Sequence, residues 1–248
     1  MTRPTGVEIY RGPSQLDGAP IVAIATGLTR PSVNRKTGPV VQVWIMPQHA
    51  APHETLRDGS DASVCGDCPL RGLAGKGRAC YVDLPKAPLG VWRAWRADRY
   101  PRWDGSPFAR KMRLGAWGDP AALPIGVLES LTRAAPLGWT GYTHQWRNLT
   151  GRKGARYRSL IMASADSEAD GRTARARGWR TFRVLPKGDR QPSGSRPREI
   201  VCPATTPGST TTCETCGACN GSTGRADRRV SIVVEAHGPG AMAHPVSR

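Results

Sequence analysis

Met112-Arg113-Leu114-Gly115-Ala116-Trp117, followed by Leu123 to Ala135 and then by Gly138-Trp139-Thr140-Gly141-Tyr142-Thr143, is the stretch whose reading decides the fold. The first six residues read as a strand, stopped by Gly118-Asp119-Pro120. Ile125, Val127, Leu128, Leu131 and Ala135 then recur at helical spacing, and Gly138 to Thr143 returns to strand character. The alternation continues downstream. Tyr157 to Ala165 holds the apolar run Leu160-Ile161-Met162-Ala163. A polar helix from Ser167 to Arg177 follows, closed by Gly178 in the C′ position, and Arg180 to Leu185 is the next strand. Strands alternating with helices imply parallel pairing through crossovers. The expected fold is therefore α/β: a partial or complete (β/α) barrel-like parallel sheet, or an open doubly wound one.

Outward from this block, Ile21-Val22-Ala23-Ile24-Ala25 and Val40 to Met46 read as strands separated by a turn at Asn34-Arg35-Lys36-Thr37-Gly38. Leu89 to Tyr100 reads as a short helix whose tryptophans belong to the core. Glu199-Ile200-Val201 and Val230 to Val234 are two further strand candidates. The chain is expected to comprise a flexible lead-in over 1–20 and a single α/β domain over 21–237. That domain includes a cysteine-bearing loop at 47–85 and a cysteine knuckle at 202–219, and a flexible tail over 238–248 follows it. A loop as long as 47–85 inside a compact domain is usually functional.

In parallel α/β architectures, active sites collect at the carboxyl ends of the strands. Those ends carry His49 or the cysteine loop, Gly118-Asp119, His144-Gln145, Ser164 and Asp166, Cys202, and Glu235-Ala236-His237. Asp119 has two readings, as the N-cap of the following helix and as a cofactor-binding carboxylate. His144 is the histidine that reads most readily as functional, against a purely structural role bridging backbone groups. Ser164 and Asp166 border the same mouth, although Asp166-Ser167 with Glu168 is also a helix-start signature. His237 and His244 carry weaker signals.

All seven cysteines fall into two groups: Cys65, Cys68 and Cys80, then Cys202, Cys213, Cys216 and Cys219. The late group reads C-x10-C-x2-C-x2-C, too close in sequence for unstrained disulfides but suited to one metal centre. A C-x2-C-x2-C run with a remote Cys-Pro is the ligand geometry of an iron–sulfur cubane, whereas structural zinc prefers two separated C-x2-C knuckles. Both metals stand as readings of the late group. The early C-x2-C-x11-C-Y supplies only three thiols, which would leave one iron of a cubane without a protein ligand. The alternative there is Cys3His zinc completed by His49 or His53.

The 248 residues include 29 glycines and 22 prolines, so long loops are expected on a single core. Lys and Arg number 36 against 19 Asp and Glu, a net charge of +17. Arg, Ala, Gly and Pro all have GC-rich codons, so base composition accounts for part of this excess. The remainder suits an anionic partner, nucleic acid or a nucleotide. No apolar run approaches the roughly 18 residues of a membrane span, and the N-terminus lacks the core of a signal peptide. A cytoplasmic location with reduced thiols is expected. The absence of a nucleophile elbow, a Walker loop and HExxH argues against the common hydrolases, P-loop NTPases and zincins.

Asn34 to Gly38, Cys65-Gly66-Asp67-Cys68-Pro69, Cys80-Tyr81-Val82, Gly118-Asp119-Pro120, Gly141 to Trp146 and Gly178 to Val184 together resemble a family of bacteriophage and prophage proteins. That family is related to the actinobacteriophage "gene product eighty-eight" proteins, and the resemblance covers roughly residues 30 to 236. A more remote likeness is to radical S-adenosylmethionine enzymes. Those place three cysteines after the first barrel strand, the last before an aromatic residue, and a glycine-rich acidic motif after the second. The likeness implies Cys65, Cys68 and Cys80 as the cluster loop, Gly118 and Asp119 at the cofactor's amino group, and the late cysteines as an auxiliary cluster; Ser164, at the same mouth by its strand-end position, is a further cofactor-binding candidate. The present loop is wider than that family's C-x3-C-x2-C. Two functions follow as expectations: an iron–sulfur enzyme of this type, with Asp119 and His144 as catalytic candidates, or a non-enzymatic zinc protein that binds nucleic acid.

Overall fold

The computed structural model describes residues 4–72, 77–189, 199–237 and 241. Its framework is a nine-stranded sheet in the order β1-β2-β3-β4-β5-β6-β7-β9-β8. The strands are β1 (Gly6–Pro13), β2 (Pro20–Thr26), β3 (Val41–Pro47), β4 (Met112–Trp117), β5 (Trp139–Thr143), β6 (Met162–Ala165), β7 (Thr181–Leu185), β8 (Glu199–Val201) and β9 (Ser231–Glu235). The first three pair antiparallel, and every pairing from β3 onward is parallel. The helices are α1 (Pro52–Asp58), α2 (Ala62–Cys65), α3 (Ala87–Arg96), α4 (Ile125–Arg133), α5 (Gly151–Leu160), α6 (Glu168–Ala176) and α7 (Cys213–Cys216). Among the described residues no pairing joins β8 back to β1, so the sheet has two edges rather than closing on itself.

The quoted block behaves as its pattern requires. Leu114 of β4, Leu128 and Leu131 of α4, and Ile161 just before β6 are all buried in one apolar core. Trp146 and Tyr157 are fully buried there, and each satisfies its polar atom: Trp146 Nε1 donates to the Ser164 carbonyl at 2.9 Å and Tyr157 Oη to the Leu123 carbonyl at 2.8 Å. Ser167 caps α6 by accepting from Asp170 N, the arrangement its Asp-Ser-Glu start implies.

Two expectations need correction. The lead-in over 1–20 contains β1, whose pattern is disguised by a buried carboxylate: Glu8 accepts Trp95 Nε1 at 2.8 Å and pairs with Arg11. The loop over 47–85 contains α1 and α2, short helices that leave only brief turns between them. Residues 151–160 form α5 although only Gly154 and Tyr157 of that helix are buried. The tail expected over 238–248 lies, except for Ala241, outside the described residues.

One feature has no counterpart in the sequence pattern. β5 and β6 share only the pairs Tyr142↔Met162 and Thr143↔Ala163. Towards their amino ends the late-cysteine chain takes over the pairing: Gly141 N donates to Cys219 O at 3.0 Å, Gly221 N to Leu160 O at 3.1 Å and Ser222 N to Arg158 O at 2.7 Å. Buried Arg180 holds this wedge by donating to the carbonyls of Ala218, Asn220 and Val230. A Cβ at position 221 would overlap the backbone of Ser159 and Leu160. Gly221→Ala is therefore expected to cost about 1–3 kcal/mol through overpacking against atoms that cannot turn aside. An unchanged urea midpoint would show that the chain does not lie in this gap.

Candidate functional site

Parallel pairing brings the strand ends together, and the early cysteines lie among them. Cys65 ends α2, and its amide donates to Asp61 O at 2.8 Å; Cys80 N donates to Leu70 O at 2.8 Å, folding the distant third cysteine back to the first two. Arg71 fastens this loop. Its guanidinium forms a fork on Asp61 and donates to Gly59 O at 2.7 Å and Gly66 O at 3.2 Å, with both partners of the ion pair buried.

The loop is tied to the sheet at three points. Asp119 N donates to Val64 O at 2.6 Å. Gln145 Nε2 donates to Asp67 Oδ1 at 2.6 Å, beneath Gly66, where a side chain would overlap the Gln145 amide. His144 Nε2 lies 3.9 Å from Cys68 Sγ and 3.1 Å from Asp166 Oδ1. Gln145 was legible only as part of a motif; its partnership with Cys65-Gly66-Asp67-Cys68 is a tertiary fact.

Asp119 uses both oxygens on backbone. Oδ1 caps the turn at Pro120–Ala122 by accepting Ala121 N at 2.8 Å, and Oδ2 accepts His144 N at 2.8 Å. Burial pushes its carboxyl pKa up, opposed by the Ala121 bond and by His144. Gly118, at φ +83°, lets β4 end against β3, for a Cβ there would lie 2.6 Å from Ile45 O. Ser164 is buried in β6 and gives its carbonyl to Trp146. The candidates Gly118, Asp119 and Ser164 thus each have a structural task.

The electrostatics link the early group. Burial, then the charges of Cys68, Asp61 and Cys80, raises the Cys65 pKa well above the ordinary thiol value. Burial alone would keep the His144 imidazole neutral, but Cys68 and the hydrogen bond to Asp166 outweigh it and raise its pKa well above the usual value. His144 thus lies between a thiol and a carboxylate that both favour its protonated form. Of the histidines weighed as zinc ligands, His49 contacts Ser60 Oγ at 3.1 Å, and His53 Nδ1 is buried without a hydrogen-bond partner among the described residues.

The late cysteines occupy a different place. Cys213 N donates to Lys36 O at 2.9 Å and Glu214 N to Thr37 O at 3.0 Å, anchoring α7 to the turn before β3. Alternation along the strands puts Tyr142, Met162, Phe182 and Ile232 on one face, and Cys202, Ala218 and Cys219 pack on it. All four late cysteines line one small cavity with Thr140 and Ile232. Burial pushes the Cys219 thiol up to about 12.

All seven thiols are free. The expectation that Cys65, Cys68 and Cys80 lie within metal-ligand reach needs correction: among the described residues no group of three or more His, Cys, Asp or Glu has the geometry to hold a metal ion. The thiols are gathered without being closed. No helix among the described residues is long and apolar enough to cross a membrane. Comparisons with protein-family models, curated proteins and solved structures find no match to this chain.

Proposed function

We propose that this chain is an iron–sulfur protein with two thiolate centres, the early one open to a cofactor in the manner of radical S-adenosylmethionine enzymes and the late one closed. The observation that carries the reading is the division of the thiols in space. Cys65 feels Cys68 and Cys80, Cys80 feels Cys68, and Cys219 feels Cys202, Cys213 and Cys216, with which it lines one cavity. The run β3-β4-β5-β6-β7, parallel and in consecutive order, supports a partial (β/α) barrel with the early thiols at its carboxyl-end mouth.

The donor chemistry fits the group. Both sets are thiols, Asp61 beside the early set is already spent on Arg71, and the late four surround a cavity. Cys65, Cys68 and Cys80 would hold one cluster and leave one iron without a protein ligand; Cys202, Cys213, Cys216 and Cys219 would hold the other. A cluster held there with one open iron would supply an electron to bound S-adenosylmethionine for radical chemistry. Asp119 acts as a positioning residue, fixing the backbone of His144 and the loop that carries Cys65. His144, held by Asp166, can carry a proton at Nε2.

A second reading has one observation in its favour. His144 beside Cys68 could complete a Cys3His zinc site, in place of His49 or His53, in a nucleic-acid-binding protein with surplus arginine. Anaerobically purified, reduced protein supplied with S-adenosylmethionine separates the two. Release of 5′-deoxyadenosine by the wild-type chain and not by Cys68→Ser is expected. Iron-loaded protein that releases none would defeat the enzyme reading.

A further inference from the structure

Four arginines from separate parts of the chain meet on the outside of the sheet, and contacts between them fix where each guanidinium lies. Arg158 of α5 donates from Nη1 to the carbonyl of Arg177, the residue that ends α6, at 2.8 Å. Arg177 Nη1 in turn donates to the carbonyl of Arg147, in the turn after β5, at 3.2 Å. The Arg147 and Arg177 guanidiniums lie over one indole, 4.4 and 5.8 Å from the ring centroid of Trp146. Arg225 joins at the far end: a Cβ on Gly178 would lie 3.3 Å from Arg225 Cγ and 3.5 Å from Arg158 Cζ. The strip therefore runs Arg147, Arg177, Arg158, Arg225, from the turn that follows His144 to the segment that follows Cys219.

The carboxylates on the elements that carry the strip are taken up elsewhere, with one exception. Asp170 pairs with Arg147 at 2.6 Å, whereas Glu168 pairs with Arg172, Glu129 with Arg156, and Asp227 with Arg229. Asp166 faces His144. All Asp and Glu residues of the chain lie among the described residues, and none forms an ion pair with Arg158, Arg177 or Arg225. Arg152 and Lys153, exposed and unpaired on the first turn of α5, add two more cations. Core packing does not require this arrangement, since α5 buries only Gly154 and Tyr157. Like charges gathered this closely repel and lower stability until an anion neutralises them.

The chemistry of the strip narrows the anion. Each guanidinium carries five N–H donors, and Arg158 and Arg177 each give one to a carbonyl, so most remain free to fork onto phosphate. Heads spread along a line suit a polymer with one charge per unit better than a single small anion. A membrane surface would also need apolar side chains to insert, and the exposed large apolar residues, Val33, Tyr81, Leu137, Ile200 and Val230, lie on neither α5 nor α6. Trp146 is buried beneath the guanidiniums and offers no free face for a base to stack on. We infer that this strip is a binding surface for the sugar–phosphate backbone of a nucleic-acid strand, held through its phosphates and without reading of its bases. No cysteine belongs to the strip, so the inference holds whichever metal the two cysteine sets take.

Equilibrium binding of labelled oligonucleotides to the full chain as purified tests this, with single-stranded DNA, duplex DNA and RNA of roughly 16 nucleotides as separate probes. Polyglutamate and phosphatidylcholine vesicles carrying phosphatidylserine are the competing anions. At least one nucleic acid is expected to bind with Kd below about 10 μM at about 50 mM salt, and more weakly as salt rises. The triple variant Arg158→Gln, Arg177→Gln, Arg225→Gln should lose about tenfold or more and flatten the slope of log K against log salt by about 2. Arg57→Gln, Arg93→Gln, Arg99→Gln removes the same charge from exposed, unpaired positions on α1 and around α3, and should stay within about threefold of the wild type. Changing the three strip arginines to lysine keeps the charge without the fork, so it should preserve the salt slope while weakening affinity, which a misfolded variant would not do. Absence of binding to every nucleic acid, equal losses in the strip and control variants, or tighter binding to polyglutamate or vesicles would each overturn the inference. Iron-free protein that still binds nucleic acid through the strip would defeat the iron–sulfur reading and leave this one standing.

Discussion

Arg71→Ala is expected to release the early cysteine loop and to cost about 3–5 kcal/mol, the usual penalty for leaving one member of a buried ion pair alone. The truncation strands the buried Asp61 carboxylate and removes the donors to the Gly59 and Gly66 carbonyls. Arg71→Lys should recover little, since an ammonium cannot reproduce the fork on Asp61 while reaching two carbonyls. Replacing both partners by apolar residues, Arg71→Met with Asp61→Leu, should recover part of the loss because no buried charge then remains. Urea denaturation gives the magnitude, and limited proteolysis shows whether cleavage begins between residues 59 and 72. Wild-type stability in Arg71→Ala would mean that the pair does not organise the loop.

The second large effect separates the two cysteine sets. Cys216 is exposed, so its replacement by the nearly isosteric serine would ordinarily change stability by no more than about 0.5 kcal/mol. If Cys216 is a ligand of a closed centre, the same change removes part of a metal-binding free energy on the order of 10 kcal/mol that is coupled to folding. The melting temperature of Cys216→Ser should then fall by roughly 10 °C or more. The late segment also forms the wedge between β5 and β6, so loosening it opens the sheet. Cys68→Ser, in a loop held by Arg71 and Gln145 independently of metal, should stay folded, and it should lose activity if the early thiols form an open centre. Equal melting of both variants would remove the distinction between a structural and a catalytic centre.

The parallel strands were legible in sequence because their signals are local. Met112 to Trp117 and Thr181 to Leu185 are short apolar runs bounded by glycine, proline or charged residues, and the α6 cap lies beside the helix it starts. What was illegible depends on partners far along the chain. β1 hides behind Glu8, whose burial is permitted by an indole 87 residues away. α5 carries Arg152, Lys153, Arg156 and Arg158 and offers the core little more than Tyr157, so no apolar stripe marks it. The grouping of cysteines into three and four followed from spacing, and so did the company of Cys68 and His144 at the strand ends. The tie from Gln145 to Asp67, the occupation of both Asp119 oxygens and the wedge at Gly221 are contacts between distant segments. No pattern within either segment announces them.

The central claim is that the early and late thiols hold two iron–sulfur centres, and metal and sulfide analysis of anaerobically purified protein tests it most directly. The account predicts coloured protein with roughly eight irons and eight sulfides per chain when both sites hold cubanes. It also predicts that about half of each remains in Cys68→Ser. Colourless protein with stoichiometric zinc and no acid-labile sulfide would contradict it.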